Sequence, residues 1–243
     1  MASQFFQNFP EIQYKLDDGK VIFIKDFFRK SKIEQEAVES IVDYSYYHIE
    51  DGERPDVVAT KLYGNPDLHW TFFLVNEIEN YYDWHKDSET FERYMTAKYP
   101  GQYAVALTQA EIVSAKTTVA DISNKYLLGE KVTSVSSEGR ITKVEPEHHR
   151  IAIEGGDFKS NELITGAVST RTFTPTTVVE ERDGVAYYVN AEGLKRNCPQ
   201  AGFTAVSHDI NEQNINEEKR KIKVIRPSLI DTIVRRFEKV MRA

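Results

Sequence analysis

The chain has 243 residues, 40% of them hydrophobic and 28% charged, and 31 Lys and Arg against 38 Asp and Glu give a net charge of −7. That length allows a sizeable core in one large or two small domains, and the acidic balance argues against a protein that coats nucleic acid. No apolar run approaches the roughly 20 residues that cross a bilayer, no secretory signal is expected in the first twenty positions, and the single cysteine, Cys198, excludes an internal disulfide or a multi-cysteine metal site.

Residues 1–45 read as an N-terminal arm. Ile12 and Tyr14, the turn Asp17-Asp18-Gly19-Lys20 and the apolar run Val21–Ile24 predict a hairpin, followed by a helix through Ile33, Val38 and Ile41. Phe5, Phe6 and Phe9 are unusual in a free tail, so the arm is expected to pack, on its own core or on a partner. Tyr44–Ile49 is extended and aromatic. Pro55 then suits a first helical turn, Val57, Val58 and Leu62 keep helical spacing, and Gly64 sits where a left-handed cap ends a helix. Asn65-Pro66-Asp67 starts a second helix with a capping side chain, a proline and an acid, and Leu68, Phe72, Phe73 and Val75 or Ile78 form its apolar face.

Ser88 is placed to cap a helix through Phe91, Tyr94, Met95 and Lys98, stopped by Pro100-Gly101, and 107–123 reads as a connector. From 125 to 170 short alternating runs, 131–135, 140–144 and 150–154, are punctuated by glycines at the spacing of a small β-barrel or sandwich. Thr177–Glu180 and Val185–Val189 around Arg182-Asp183-Gly184 predict a further hairpin, and 193–216 reads as a polar loop. Lys221–Ile225 alternates as a strand. A final amphipathic helix carries Ile230, Ile233, Phe237 and Val240 on one stripe, flanked by Leu229, Val234 and Met241. Either the chain's own core or a partner's groove covers that stripe.

Strand, turn, helix, Gly-Asn-Pro, helix is the order of a LysM-like module. The run Arg54–Ile78, RPDVVATKLYGNPDLHWTFFLVNEI, with Tyr81-Tyr82-Asp83-Trp84 and the closing KIKVIRPSLIDTIVRRFEKVMR, resembles the baseplate wedge subunit of T-even-like contractile-tailed phages, the product of gene fifty-three. The likeness covers about the first hundred and the last twenty-five residues, and the β-rich stretch between them departs from the shorter pattern.

The resulting fold class is α+β. It combines a LysM-like strand–helix–helix module (46–80), a helix and connector (81–124) and an inserted barrel- or sandwich-like module (125–170). A hairpin with a polar loop (171–220) and a strand with the C-terminal amphipathic helix (221–243) complete the chain.

Little in the sequence asks for chemistry. The only histidine pair, His148-His149, would point to opposite faces of an extended chain, and a turn explains it more cheaply than a metal. Adjacent acids such as Asp17-Asp18, Glu180-Glu181 and Glu217-Glu218 do not supply two carboxylates facing across a cleft. No nucleophile elbow, zinc-protease or phosphate-loop motif occurs. Catalytic, cofactor and metal residues are therefore not expected, nor are a small-molecule substrate, nucleic acid or membrane.

Residues 219–242 hold nine Lys or Arg against two acids, which reads as a solvated helix face, a docking surface for an acidic neighbour or a nucleic-acid contact. Three functions compete: a structural virion protein, a LysM-type glycan- or peptidoglycan-binding protein, and a wall-degrading enzyme. The crowded aromatic second helix favours the first. The resemblance implies a structural subunit of the virion tail baseplate, assembled in the host cytoplasm, that joins other wedge proteins, a sheath-initiator-like protein and adjacent wedges. The interface candidates are Leu229, Ile230, Ile233, Val234, Phe237 and Val240 with Arg235 and Arg236 on the terminal helix, and Tyr63, Trp70, Phe73, Tyr81, Tyr82 and Trp84 in and after the module.

Overall fold

The computed structural model of the chain describes residues 9–26, 44–106 and 126–242. Its first elements are strands β1 (Glu11–Lys15), β2 (Val21–Lys25) and β3 (Tyr44–His48), helix α1 (Pro55–Tyr63), and helix α2 (Trp70–Val75), entered through a 3-10 turn at Pro66–His69. Helix α3 (Ser88–Lys98) leads to β4 (Gln102–Val105), β5 (Lys131–Thr133), β6 (Glu138–Glu145), β7 (Arg150–Glu154), β8 (Ile164–Gly166), β9 (Thr172–Phe173) and β10 (Thr177–Glu180). Then come β11 (Val185–Val189), β12 (Lys195–Arg196), β13 (Thr204–Ser207), α4 (His208–Glu218), β14 (Lys221–Ile225) and α5 (Ile230–Arg242). The chain divides into two compact units: residues 1–88 with 216–243, and residues 89–215.

In the first unit β1 and β2 form the expected antiparallel hairpin, with Gly19 at φ 81 and the Lys20 amide donating to Asp18 Oδ1. The α1–α2 pair follows its local signals. Pro55 opens α1, Gly64 closes it in the left-handed region at φ 69, and Asn65 Oδ1 accepts from the Asp67 amide to start the next turn. The strand expected at Lys221–Ile225 forms as β14, but its pairing was not legible: β3 pairs antiparallel with β14, Tyr46 opposite Lys223 and Tyr47 opposite Ile222. Strand–helix–helix is thus completed by a strand from the other end of the sequence. Ile222 and Val224 point inward onto Ile49, Val58, Ala59, Phe72 and Trp84, while Lys221 and Lys223 stay exposed. Burying each aliphatic side chain contributes about 1.5–3 kcal/mol.

Two asparagines tie this unit together. Asn76, the C-cap of α2, accepts from the Lys223 amide (2.8 Å) and donates to the Lys223 and Phe72 carbonyls (both 2.9 Å), so a side chain occupies the edge of β14 as a third strand would. Asn216 accepts from the Lys86 amide and donates to the Lys86 carbonyl, both at 2.9 Å. The two crossings where the chain leaves and rejoins the first unit are pinned side by side.

The second unit holds a seven-stranded antiparallel sheet in the order β10-β4-β7-β6-β5-β8-β9 and a three-stranded sheet, β12-β11-β13. The strands expected at 131–135, 140–144 and 150–154 lie at the centre of the larger sheet, and β4 and β10 extend it beyond 125–170. Its core gathers Ala104, Val132, Ile141, Ile151, Ile153 and Ile164 with Phe158 and Phe173.

Two local readings are overturned. Thr177–Glu180 and Val185–Val189 do not pair as a hairpin: β10 pairs with β4, and β11 with β12 and β13. The turn between them is a 3-10 turn, Glu181–Asp183, held by buried Glu181 on Lys143 (2.6 Å) and by Arg182 on Asp209 (2.8 Å). Gly184 has φ −62, so it is there for close approach: a Cβ would run into the Tyr103 ring. The stretch 193–216, read as a loop, instead forms β12, β13 and most of α4. The polar helix α4 is anchored by one buried carboxylate, Glu212, which accepts from Tyr94 (2.9 Å), Lys98 (2.9 Å) and Tyr99 (3.1 Å). Phe5, Phe6, the 27–43 helix and the 107–123 connector lie outside the described residues.

Candidate protein-interaction surfaces

The segment after α2 presents aromatic rings on a fixed backbone. Asn80 Oδ1 accepts from the Tyr82 amide and starts a 3-10 turn, Tyr81–Asp83. Trp84 then turns inward, buried, and donates through Nε1 to the Glu53 carbonyl at 2.9 Å. Glu53 is itself buried. Burial pushes its pKa up, but donors Lys61, the Glu50 amide and Tyr47 outweigh that and hold it below the usual carboxylate range. On this base Phe73 packs against Trp84 (5.9 Å between ring centres), Tyr81 (6.3 Å) and His69 (6.2 Å). Tyr82, set edge-on to Tyr81 at 6.4 Å, is 78% exposed, and Tyr81 is 54% exposed. Of the candidates in this region, Tyr81 and Tyr82 are surface groups, Phe73 is half-buried beneath them, and Trp84 is core.

The terminal helix sorts its candidates by face. Ile230 and Ile233 are buried with Ile225, against half-buried Tyr44, Tyr63, Leu68, Val75, Leu229 and Val234. Tyr63 also donates to the Ile225 carbonyl at 2.9 Å. Phe237 is buried against Phe9, Trp70 and Leu74, with the Trp70 ring 4.6 Å away. This places Phe9 of the arm, and most of the helix's apolar stripe, inside the first unit. Arg235, Arg236 and Lys239 are exposed on the other side of α5. The Val240 side chain lies outside the described residues. The resemblance assigns Ile230, Ile233 and Phe237 to a partner's groove, whereas they pack inside the first unit, because Ile225, Phe9 and Trp70 already cover them.

The second unit contains a polar cluster that the sequence reading missed. Arg150, 3% exposed, donates through Nε to Glu145 (2.6 Å) and through Nη2 to the Val185 carbonyl (2.7 Å). Its guanidinium lies 3.7 Å from the centre of the buried Tyr103 ring. Tyr103 donates to Glu145 at 2.9 Å and touches His208 Nε2 at 3.4 Å. Burial first, and the nearby Arg150 cation second, push His208 down to about 4. Glu145 is pushed up by burial, yet Arg150 outweighs this and keeps it below its usual value. With Arg150 donating to Glu145 and a carbonyl, and Glu145 accepting from the Tyr103 hydroxyl, the cluster is a staple between β4, β6, β7, β11 and the start of α4.

His148, on a 3-10 turn between β6 and β7, stacks on Tyr188 at 6.0 Å, and His149 takes the left-handed region at φ 46. Among the described residues no three His, Cys, Asp or Glu side chains are grouped as metal ligands.

The first unit thus carries two exposed tyrosines on a packed aromatic stack and a row of exposed cations on α5. Residues 4–106 match the family described as base plate wedge protein 53. That segment, which holds the hairpin, the α1–α2 pair and the Tyr81–Tyr82 loop, is similar to a family of base plate wedge proteins. No curated protein matches the chain.

Proposed function

We propose that the first unit joins wedge proteins to one another and to adjacent wedges of the baseplate, through the Tyr81–Tyr82 loop and the exposed side of α5, without catalysis. The observation that supports this most is the placement of two largely exposed tyrosines on an otherwise buried aromatic stack, within the segment that carries the family match. Tyrosine gives large contact area at small entropic cost, which is why it is enriched at interface centres. Partners of the kind expected are other wedge proteins and a sheath-initiator-like protein, and several modest contacts acting together suffice for a closed assembly.

The strand–helix–helix order with β14 as closing strand supports a LysM-like module in this role. The inserted second unit is a brace or an outward contact. Replacing Tyr81 and Tyr82 with Ser should leave the circular dichroism and melting of the full chain unchanged while reducing its incorporation into assembled wedges about tenfold or more. Undiminished incorporation would remove the loop from the contact. Retention of the chain by peptidoglycan, competed by chitin oligomers, would favour glycan binding instead.

A further inference from the structure

Two surfaces of the first unit complement each other in chemistry. One is the loop 77–83: exposed Tyr81 and Tyr82 with the exposed carboxylates Glu77, Glu79 and Asp83. Among the described residues, Lys219 lies 3.3 Å from Asp83, and the Lys86 Nζ donates to the Tyr82 carbonyl at 2.8 Å. The other is the exposed side of α5, where Arg235, Arg236 and Lys239 follow one another at helical spacing. Among the described residues none of these three has an ion-pair partner. Within one copy the two surfaces lie on different sides of α2. Trp70 and Leu74, one turn apart, face Phe237, whereas Phe73, set off from them by roughly 60–100° around the helix, faces Tyr81.

We propose that these surfaces are the two halves of a head-to-tail contact between copies of this chain. In it the guanidinium groups of Arg235 and Arg236 seat on the Tyr81 and Tyr82 rings of the next copy, beside Glu77 and Asp83. An Arg over an exposed tyrosine gains a cation–π contact, and a neighbouring carboxylate adds a charge-assisted hydrogen bond. Lys219 can yield Asp83 to a guanidinium at little cost, because an exposed ion pair is worth little. Since the two patches differ, a pair keeps one of each unsatisfied, and the contact propagates until the rotation closes or the chain of copies ends. This rests on the contact role given above to the loop and the helix, and names what meets them.

The test is sedimentation of the purified full chain at low and high salt. The average mass should rise with concentration at low salt and return to the monomer at high salt, where exposed charges are screened. Two variants, Arg235→Glu with Arg236→Glu, and Glu77→Lys with Tyr82→Ala, should each keep the wild-type circular dichroism. Each should weaken self-association about tenfold or more. Mixed one to one they should form a dimer and nothing larger, since each brings one intact half. A wild-type chain that stays monomeric at all concentrations, or a mixture that stays monomeric, overturns the proposal. If that monomer is still built into tails, the self-contact is lost while the baseplate reading stands. Failure of both would count against the contact role as well.

Discussion

Asn76 and His208 carry the clearest consequences of single side chains. Asn76 fills the edge of β14 with two hydrogen bonds to Lys223 and one to Phe72. Asn76→Ala should lower the stability of the first unit by about 2 kcal/mol, read from urea unfolding, because the Lys223 amide and carbonyl lose their partner. His208 stacks on Tyr99 at 4.9 Å near Arg150, and its folded value of about 4 lies below the usual 6.5. Between those two values the unfolded chain binds more protons than the folded one. Stability should therefore fall as pH drops from 6.5 towards 4, by at most about 1.4 kcal/mol per pH unit. Glu145 and Glu212, both held below their usual 4.5, add acid sensitivity only lower down, where their carboxylates take up protons. Urea midpoints across that range should therefore flatten above pH 5 in His208→Gln.

At the scale of elements, what could be read from the sequence followed how local the determining physics is. Pro55, Gly64 and Asn65-Pro66 each specify a helix end within a few residues, and α1 and the 3-10 turn leading into α2 begin and end as they dictate. Helix α4 was hidden because its stabilising partners, Tyr94, Lys98 and Tyr99, lie more than a hundred positions away and meet one polar residue, Glu212. The β10–β11 hairpin failed for a similar reason: besides their own 3-10 bond, the turn residues answer to Lys143, Asp209 and Tyr103. Of the candidates after the module, Tyr81 and Tyr82 are exposed while Trp84 is core, a division set by the 3-10 turn and not visible in the run of aromatics itself. An apolar stripe such as Ile230, Ile233 and Phe237 looks the same whichever partner covers it. In α5 the two faces should separate by mutation. Phe237→Ala should cost about 3–5 kcal/mol in the unfolding of the first unit, through the cavity beside Phe9 and Trp70. Arg235→Ala with Arg236→Ala should change stability by less than about 1 kcal/mol in total.

Across the whole molecule, the first unit, 1–88 with 216–243, draws on a strand and a helix that lie outside the matched segment 4–106. The Lys86–Asn216 pins hold the two crossings together from within the first unit. Replacing 89–215 with a short Gly-Ser linker should therefore yield a cooperatively unfolding domain whose circular dichroism retains α1, α2 and α5. A chain that instead stays unfolded would show that the second unit is needed to bring β14 to β3. Loop closure grows only logarithmically with length, so the long insertion itself taxes that pairing by a few kcal/mol at most relative to the linker.

The wide separation of β3 from β14 also orders events on the ribosome. Everything from Asn216 onward emerges after the intervening unit has been synthesised, at about 5–20 residues per second, leaving that unit several seconds to settle first. Until Lys221–Ile225 appears, Ile49, Val58 and Phe72 lack the aliphatic side chains that cover them. A product terminated before Lys221 would carry an uncovered apolar patch and should be cut faster than the full chain in limited proteolysis.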